Sequence, residues 1–145
     1  MRKQKKNQFI ILTNATEKNV KSLLSFTIEW FEDNGMSAEK SAGLKCAVCE
    51  ALSNVIAHAY NDEFKANTVQ IDGTIFVDDT IKVAVRDEGR GIADINQAMT
   101  SLFSTGPEDE HSGMGFTVME AFVDKVKVRS KVGKGTSILL FHTLN

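Results

Sequence analysis

The sequence predicts one α+β domain built as a two-layer sandwich, in which helices pack against a sheet of mostly antiparallel strands. A length of 145 residues, with 42% hydrophobic and 25% charged residues, is typical of a single globular domain. Segments with strand alternation occur in neighbouring pairs, and segments with helical spacing lie between them. This order favours antiparallel hairpins and lacks the regular strand–helix alternation of a Rossmann fold.

The N-terminal part predicts one strand followed by two helices. Residues 8–13 form a short apolar strand, and Asn14 or Thr16 caps the helix that follows it. An Asn-Gly pair at 34–35 ends that helix, and Ser37 caps a second helix that runs to about residue 60.

The C-terminal part predicts two hairpins separated by a loop and a helix. The predicted elements, in chain order, are strands at 69–77 and 81–86, a loop and short helix at 87–99, a polar segment at 100–112, a helix at 114–122, and strands at 125–130 and 136–143. The polar segment contains the only proline, Pro107, and has little periodicity, which indicates a loop rather than a core element.

Charge and hydropathy argue against several classes of protein. The formal net charge of −2 favours neither a nucleic-acid binder nor a disordered acidic tail. The apolar run at 9–12 is shorter than the roughly 7–15 residues of a signal-peptide core, and no segment reaches the roughly 18 apolar residues of a membrane span. We therefore expect a cytoplasmic protein with no direct contact to nucleic acid or membrane.

Cys46 and Cys49 form a C-x-x-C pair inside the second predicted helix. Such a pair can serve redox chemistry or supply half of a zinc site, but the sequence has no second pair and no nearby ligand cluster. We therefore expect both thiols to pack in the core.

Glu50 and Asn54 lie four residues apart on the second predicted helix and therefore share one helix face. A carboxylate and an amide in this arrangement can hold Mg²⁺, which takes a few oxygen ligands and keeps several waters. A glutamate can also orient or deprotonate a nucleophile. Taken alone, the pair is equally typical of a solvated polar face.

Two glycine-containing segments favour a nucleotide site. Asp87 follows the strand at 81–86, and Gly89 and Gly91 let the backbone turn tightly and approach a ligand. The aspartate can accept a hydrogen bond from an exocyclic amine such as that of adenine. The segment Ser-Gly-Met-Gly-Phe at 112–116 opens a helix, where free N–H groups and the helix dipole favour an anion. An ordinary turn and a helix cap are the alternatives.

The motifs E-x-x-x-N, D-x-G-x-G and G-x-G, in this order, resemble the GHKL ATPase superfamily, and the whole chain resembles its anti-sigma factor serine kinases. Three stretches carry the resemblance: CEALSNVIAHAY at 49–60, VRDEGRGI at 85–92 and HSGMGFTVME at 111–120. The resemblance implies a Bergerat-type (GHKL) sandwich, with a mixed, mostly antiparallel sheet and helices on one face. It also implies one kinase domain over 1–145 with an ATP lid at about 100–112.

The resemblance implies a role for each residue of the site. Glu50 would act as the general base or orient the acceptor, Asn54 would bind Mg²⁺, and Asp87 would recognise the adenine amine of ATP or ADP. The other nucleotide-binding residues would be Gly89, Gly91, Ile92, Thr105, His111, Ser112, Gly113, Met114, Gly115, Phe116 and Thr136. The family pattern has an arginine where this sequence has His111, and a neutral imidazole is a weaker partner for the γ-phosphate than a guanidinium.

The resemblance also implies partners. The protein would form a homodimer, hold a sporulation sigma factor of the sigma F type inactive, and phosphorylate a serine on a STAS-type anti-anti-sigma protein. Two alternatives stay open: an anti-sigma kinase of the general-stress sigma B type, and a non-catalytic, ATP-gated switch that binds a sigma factor. A histidine-kinase catalytic domain would need a phospho-acceptor domain, which these 145 residues do not contain.

Overall fold

The computed structural model describes residues 2–60, 67–95, 99 and 115–145, and these form a five-stranded sheet with helices. In chain order the elements are β1 (Lys5–Asn14), α1 (Glu17–Asp33), α2 (Ala38–Asn54), a π-helical turn (Val55–Ala59), β2 (Thr68–Phe76), β3 (Thr80–Asp87), α3 (Gly115–Phe122), β4 (Lys125–Lys131) and β5 (Gly135–Thr143). The strand order is β1-β2-β3-β5-β4. Every neighbouring pair of strands is antiparallel. The family resemblance implies a mixed, mostly antiparallel sheet, whereas the described strands include no parallel pair.

Side-chain caps fix where the first two helices begin. The Thr16 side chain accepts a hydrogen bond from the N–H of Asn19 at 3.2 Å, so Thr16 rather than Asn14 is the N-cap of α1. Ser37 caps α2 in the same way by accepting from the N–H of Lys40 at 3.3 Å. Beyond Asn54, the helix continues through one π-helical turn, which widens its hydrogen-bond ladder just before Tyr60.

The helices cover one face of the sheet, as predicted. Alternate residues of the central strands point toward them because successive side chains of a strand lie on opposite faces. The resulting core combines buried residues of the sheet and of the helices. Its fully buried large side chains are Phe31, Leu44, Val48, Leu52, Val69, Ile71, Ile75, Ile81, Val83, Val85, Met119 and Leu140.

The two cysteines do not pack in the core as expected. Cys46 is exposed, Cys49 is half-buried, and both are free thiols. The buried stripe of α2 passes through Leu44, Ala47 and Ala51, and the cysteines fall beside this stripe rather than within it. Within the described residues, no helix is long and apolar enough to cross a membrane.

An aromatic cluster attaches β1 to α1. The Phe9 ring packs edge-on against Phe26 and Trp30, with ring centroids 5.1 and 4.8 Å apart. The ring also lies over Gly73 of β2, where an added Cβ would meet Phe9 Cε2 at 2.3 Å. The absence of a side chain at Gly73 is therefore a condition for this packing.

We expect Gly73→Ala to lower the free energy of unfolding by about 2 kcal/mol, because the new methyl group must displace the Phe9 ring. Chemical denaturation of Gly73→Ala, Phe9→Leu and the double variant measures the coupling. The cost of Gly73→Ala should be smaller when Phe9 is leucine. Strictly additive costs would contradict a direct clash between these two residues.

Candidate functional site

Asp87, the last residue of β3, joins two distant parts of the chain. Its carboxylate Oδ1 accepts the N–H of Gly89 at 2.9 Å and the N–H of Thr136 at 3.2 Å. The first bond turns the loop after β3 back on itself, and the second holds the start of β5 beside it. Because both of these donors use Oδ1, Oδ2 accepts neither of them and can accept a hydrogen bond from a ligand.

The environment of Asp87 raises its pKa above the ordinary value of 3.8. Burial is the main cause, since it disfavours the ionised carboxylate, and the N–H groups of Gly89 and Thr136 oppose it. Below pH 3.8 the Asp87 carboxyl is protonated and its burial has no charge penalty. As the pH rises through the raised pKa of the folded protein, the buried carboxyl ionises and the folded state loses stability. At neutral pH, a ligand that donates a further hydrogen bond to this carboxylate would therefore stabilise its ionised form.

The loop after Asp87 packs against the end of the second helix through its backbone. An added Cβ at Gly89 would lie 2.0 Å from the carbonyl oxygen of Ala59, so only glycine allows this approach. The same carbonyl accepts the N–H of Arg90 at 2.8 Å. The Tyr60 hydroxyl accepts the N–H of Glu88 at 2.9 Å and donates to the carbonyl of Thr68.

Further along the loop, Gly91 and Ile92 meet the hairpin between β4 and β5. Gly91 has φ of 77°, and an added Cβ would lie 2.3 Å from the carbonyl oxygen of Lys131. The Ser130 hydroxyl accepts the N–H of Ile92 at 2.7 Å and lies 2.8 Å from the Thr136 hydroxyl. Ser130 is a site residue that no sequence motif indicates, because it lies within a strand in which basic residues alternate with two valines and this serine.

Glu50 and Asn54 face the start of α3. A Cβ added at Gly115 would lie 3.3 Å from Glu50 Oε2 and 3.6 Å from Asn54 Oδ1. The structure thus places the predicted carboxylate and amide beside the first residue of the helix that the G-x-G motif opens.

Phe116, predicted to contact the nucleotide, is only 7% exposed and belongs to the core.

The remaining predicted residues lie outside the described residues. They are Thr105, His111, Ser112, Gly113 and Met114, together with the lid at about 100–112. Within the described residues, the helix 38–59 links both halves of the site, because Glu50 and Asn54 meet Gly115 and Ala59 meets Gly89.

Among the described residues, no group of three or more His, Cys, Asp and Glu could hold a metal ion. Two oxygen donors nevertheless lie close to one residue of the site. Glu50 Oε2 and Asn54 Oδ1 both lie near Gly115. A pair of hard oxygen donors fits Mg²⁺, which completes its octahedron with waters and phosphate oxygens rather than with an all-protein cage.

The fold and this arrangement define an ATPase-type nucleotide-binding domain. The chain matches the family described as "Histidine kinase-like ATPase domain" over residues 13–141, and it belongs to that family. The predicted GHKL fold is therefore confirmed.

Curated relatives carry a more specific name. The chain is 46% identical over 97 residues to the "Anti-sigma F factor" of Geobacillus thermodenitrificans, a match that covers 67% of this chain and 65% of the relative. It is 44% identical over 100 residues to the protein of that name from Caldanaerobacter subterraneus, covering 69% and 68%. The chain thus spans slightly less than two thirds of the length of the Geobacillus relative.

Solved structures share the fold. The RsbU and RsbW domains of a Mycobacterium tuberculosis protein superpose with a TM-score of 0.69 at 19% identity, covering 94% of this chain and 32% of the other. A histidine kinase domain from Erythrobacter litoralis gives 0.58 at 19% identity, covering 91% and 65%.

We expect Asp87→Asn to weaken ATP binding about 100-fold, which is about 3 kcal/mol. The two N–H donors hold an oxygen at the Oδ1 position, so the amide NH₂ must take the Oδ2 position. If Asp87 recognises the adenine amine, as the family resemblance implies, this NH₂ would face that amine as a second donor. Titration calorimetry with ATP measures the loss. A Kd within a few-fold of the wild-type value would contradict this role of Oδ2.

The same variant should not destabilise the empty protein. Because burial raises the pKa of Asp87, a neutral amide avoids the cost of the charge above pH 3.8. Without nucleotide at pH 7, the Tm should equal or exceed that of the wild type, and the difference should shrink as the pH falls toward 3.8. A lower Tm at pH 7 would show that Asp87 is mainly a structural residue.

Proposed function

We propose that this chain is an anti-sigma factor that binds ATP with Mg²⁺ and phosphorylates a serine on an anti-anti-sigma partner. The approach of Gly115 to Glu50 and Asn54 carries the proposal, because it combines an acid and an amide oxygen with the start of a helix. Relatives at 43–47% identity bear the name anti-sigma F factor, which supports the regulatory part.

In this proposal, the adenine of ATP lies beside Asp87. Oδ2 accepts a hydrogen bond from the exocyclic amine, while Gly89 and Gly91, by their lack of side chains, let the loop beside the base pack against the carbonyls of Ala59 and Lys131. Thr136 and Ile92 are held next to the base through Ser130. The segment at about 100–112 acts as the lid, with Thr105 within it. His111, Ser112, Gly113 and Met114 then contact the phosphates.

The phosphoryl transfer depends mainly on Glu50. The serine oxygen attacks the γ-phosphorus, the bond to the β–γ bridging oxygen breaks, and ADP leaves with that electron pair. The Glu50 carboxylate orients the serine hydroxyl and accepts its proton. Asn54 would hold Mg²⁺ through Oδ1, and the ion would neutralise charge on the phosphate oxygens.

The partner assignment depends on the relatives. Their printed name, "Anti-sigma F factor", supports a sigma F type of partner over a sigma B type. We propose that this partner is a sporulation sigma factor. The proposal includes a homodimer in the cytoplasm and a STAS-type anti-anti-sigma protein as phosphate acceptor. The same adenine site without phosphotransfer would define an ATP-gated switch.

The proposal is tested with purified full chain, Mg²⁺, γ-labelled ATP and the anti-anti-sigma protein encoded in the same genome. Label transferred to a serine of that protein is the expected result. ATP binding without any transfer would contradict the kinase assignment and indicate the gated switch. Failure to bind ATP at all would contradict the nucleotide site itself.

Substitutions of Glu50 and of Asp87 should impair different steps, the first phosphoryl transfer and the second ATP binding. Glu50→Ala should lower the transfer rate at least about 100-fold while ATP affinity stays within about threefold, because the carboxylate acts on the acceptor. Asp87→Ala should abolish ATP binding. Glu39→Ala, which removes an exposed glutamate at the opposite end of α2, is the matched control and should change neither quantity. Equal losses of ATP affinity in Glu50→Ala and Asp87→Ala would contradict the separate roles.

Gly115→Ala should slow transfer more than it weakens ATP binding. The added methyl group would lie 3.3 Å from Glu50 Oε2, so the carboxylate must move by a few tenths of an ångström. We expect a loss of about tenfold in kcat, since catalysis is sensitive to small errors in the position of reacting groups. Single-turnover measurements with saturating ATP give the rate. An unchanged rate would contradict the placement of Glu50 at the reacting centre.

A further inference from the structure

β4 forms one edge of the sheet, and its exposed face is basic. Among the described strands it pairs with β5 alone, so its other side has backbone groups without a strand partner there. Basic residues occupy every second position and are all exposed; they are Lys125, Lys127, Arg129 and Lys131. These side chains lie on the face away from the helices, because Val126 and Val128 between them pack against the core.

The floor beneath this basic stripe is apolar. Lys127 is directly opposite Leu139, and its Nζ lies 5.9 Å from the centroid of the Phe141 ring. Leu139 is only 6% exposed although no helix covers this face in the described part of the chain. The aliphatic stems of the lysines therefore lie along the sheet, and their charged ends reach the water.

The positive charge of this face is not neutralised by neighbouring strands. Of the described residues that the strand register places on the face, one is acidic, Asp72 of β2. It is 8% exposed and lies 3.3 Å from the guanidinium of Arg86. The chain as a whole has a net charge of −2, so this basic stripe is a local feature rather than a general excess of positive charge.

We propose that the free edge of β4 binds an extended acidic segment of a partner protein as an additional strand. Side chains on one face of a strand repeat at about 6.8 Å, so a segment with an acidic residue at every second position matches the basic stripe. Its intervening apolar side chains would continue the row formed by Val126 and Val128. The backbone groups of the segment would pair with those of β4.

The chemistry of the stripe selects against other strands of this protein. Two β4 edges placed side by side would bring like charges opposite one another, which is destabilising. The opposite edge, β1, begins with Lys5 and Lys6 and offers no acidic residue. Basic residues on an edge strand also discourage aggregation, and that role needs no partner. The inference does not depend on the proposed kinase activity, because none of the side chains of the basic stripe is assigned a role in the nucleotide site.

The test measures binding of three labelled peptides to the full chain by fluorescence anisotropy at about 50 mM salt. Each peptide has the length of β4, 7 residues. The first alternates Glu and Val, the second groups the same residues into two blocks, and the third is the alternating peptide with every second amide N-methylated. The alternating peptide should bind about tenfold more tightly than either control peptide.

Charge reversal on the protein completes the test. Lys127→Glu/Arg129→Glu should weaken binding of the alternating peptide at least about tenfold. Lys18→Glu/Lys45→Glu, which reverses two exposed lysines on α1 and α2, is the matched control and should leave binding within about twofold. Circular dichroism checks folding, and Lys127→Gln/Arg129→Gln replaces the reversal if that variant unfolds.

Several results would overturn the inference. If the peptide with grouped residues or the N-methylated peptide binds as tightly as the alternating peptide, the basic stripe attracts any polyanion and no strand pairing takes place. Tighter binding of single-stranded RNA or of phosphatidylserine vesicles than of the alternating peptide would identify another class of partner. Binding that survives both substitutions of Lys127 and Arg129 would exclude β4 as the binding edge.

Discussion

One carboxylate oxygen, Oδ1 of Asp87, accepts hydrogen bonds from backbone groups of two segments that are far apart in the sequence. Gly89 lies two residues after it, and Thr136 is the second residue of the last strand. These bonds hold the end of β3, the loop after it and the start of β5 in one arrangement. They also leave Oδ2 without a donor from either segment, at a carboxylate whose charge is disfavoured by burial. The shape of the loop and its capacity to recognise an amine therefore have the same origin.

The loop can occupy this position only because of close backbone contacts. Gly89 lies against the carbonyl of Ala59, and Gly91 lies against the carbonyl of Lys131. The first contact connects the loop to the π-helical turn that continues α2, and the second connects it to the end of β4. The helix that carries Glu50 and Asn54 and the strand that carries Asp87 thus meet through backbone atoms. A side chain at Gly89 would push the loop away from the helix, and one at Gly91 would push it away from β4.

Local patterns predicted much of this architecture because they depend on neighbouring residues. Alternation located the strands to within one or two residues for β2 to β5, and Ser37 caps α2 as its sequence indicates. Sequence alone could not choose between Asn14 and Thr16 as a cap, since both side chains can accept the bond. The π-helical turn and the role of Ser130 depend on long-range packing, whereas the exposure of Cys46 follows from its position beside the buried stripe of α2. The relation between Glu50, Asn54 and Gly115 was predicted through a family resemblance, because no local pattern relates residues so far apart.

The most direct test of the account compares the affinities of the full chain for ATP and GTP by titration calorimetry with Mg²⁺. Guanine carries a carbonyl oxygen where adenine carries its amine, so Asp87 Oδ2 would face a second acceptor. We predict that ATP binds at least about 100-fold more tightly than GTP, because adenine donates a hydrogen bond to the buried carboxylate whereas the guanine carbonyl repels it. Equal affinities would contradict it, since recognition would then depend on the phosphates alone.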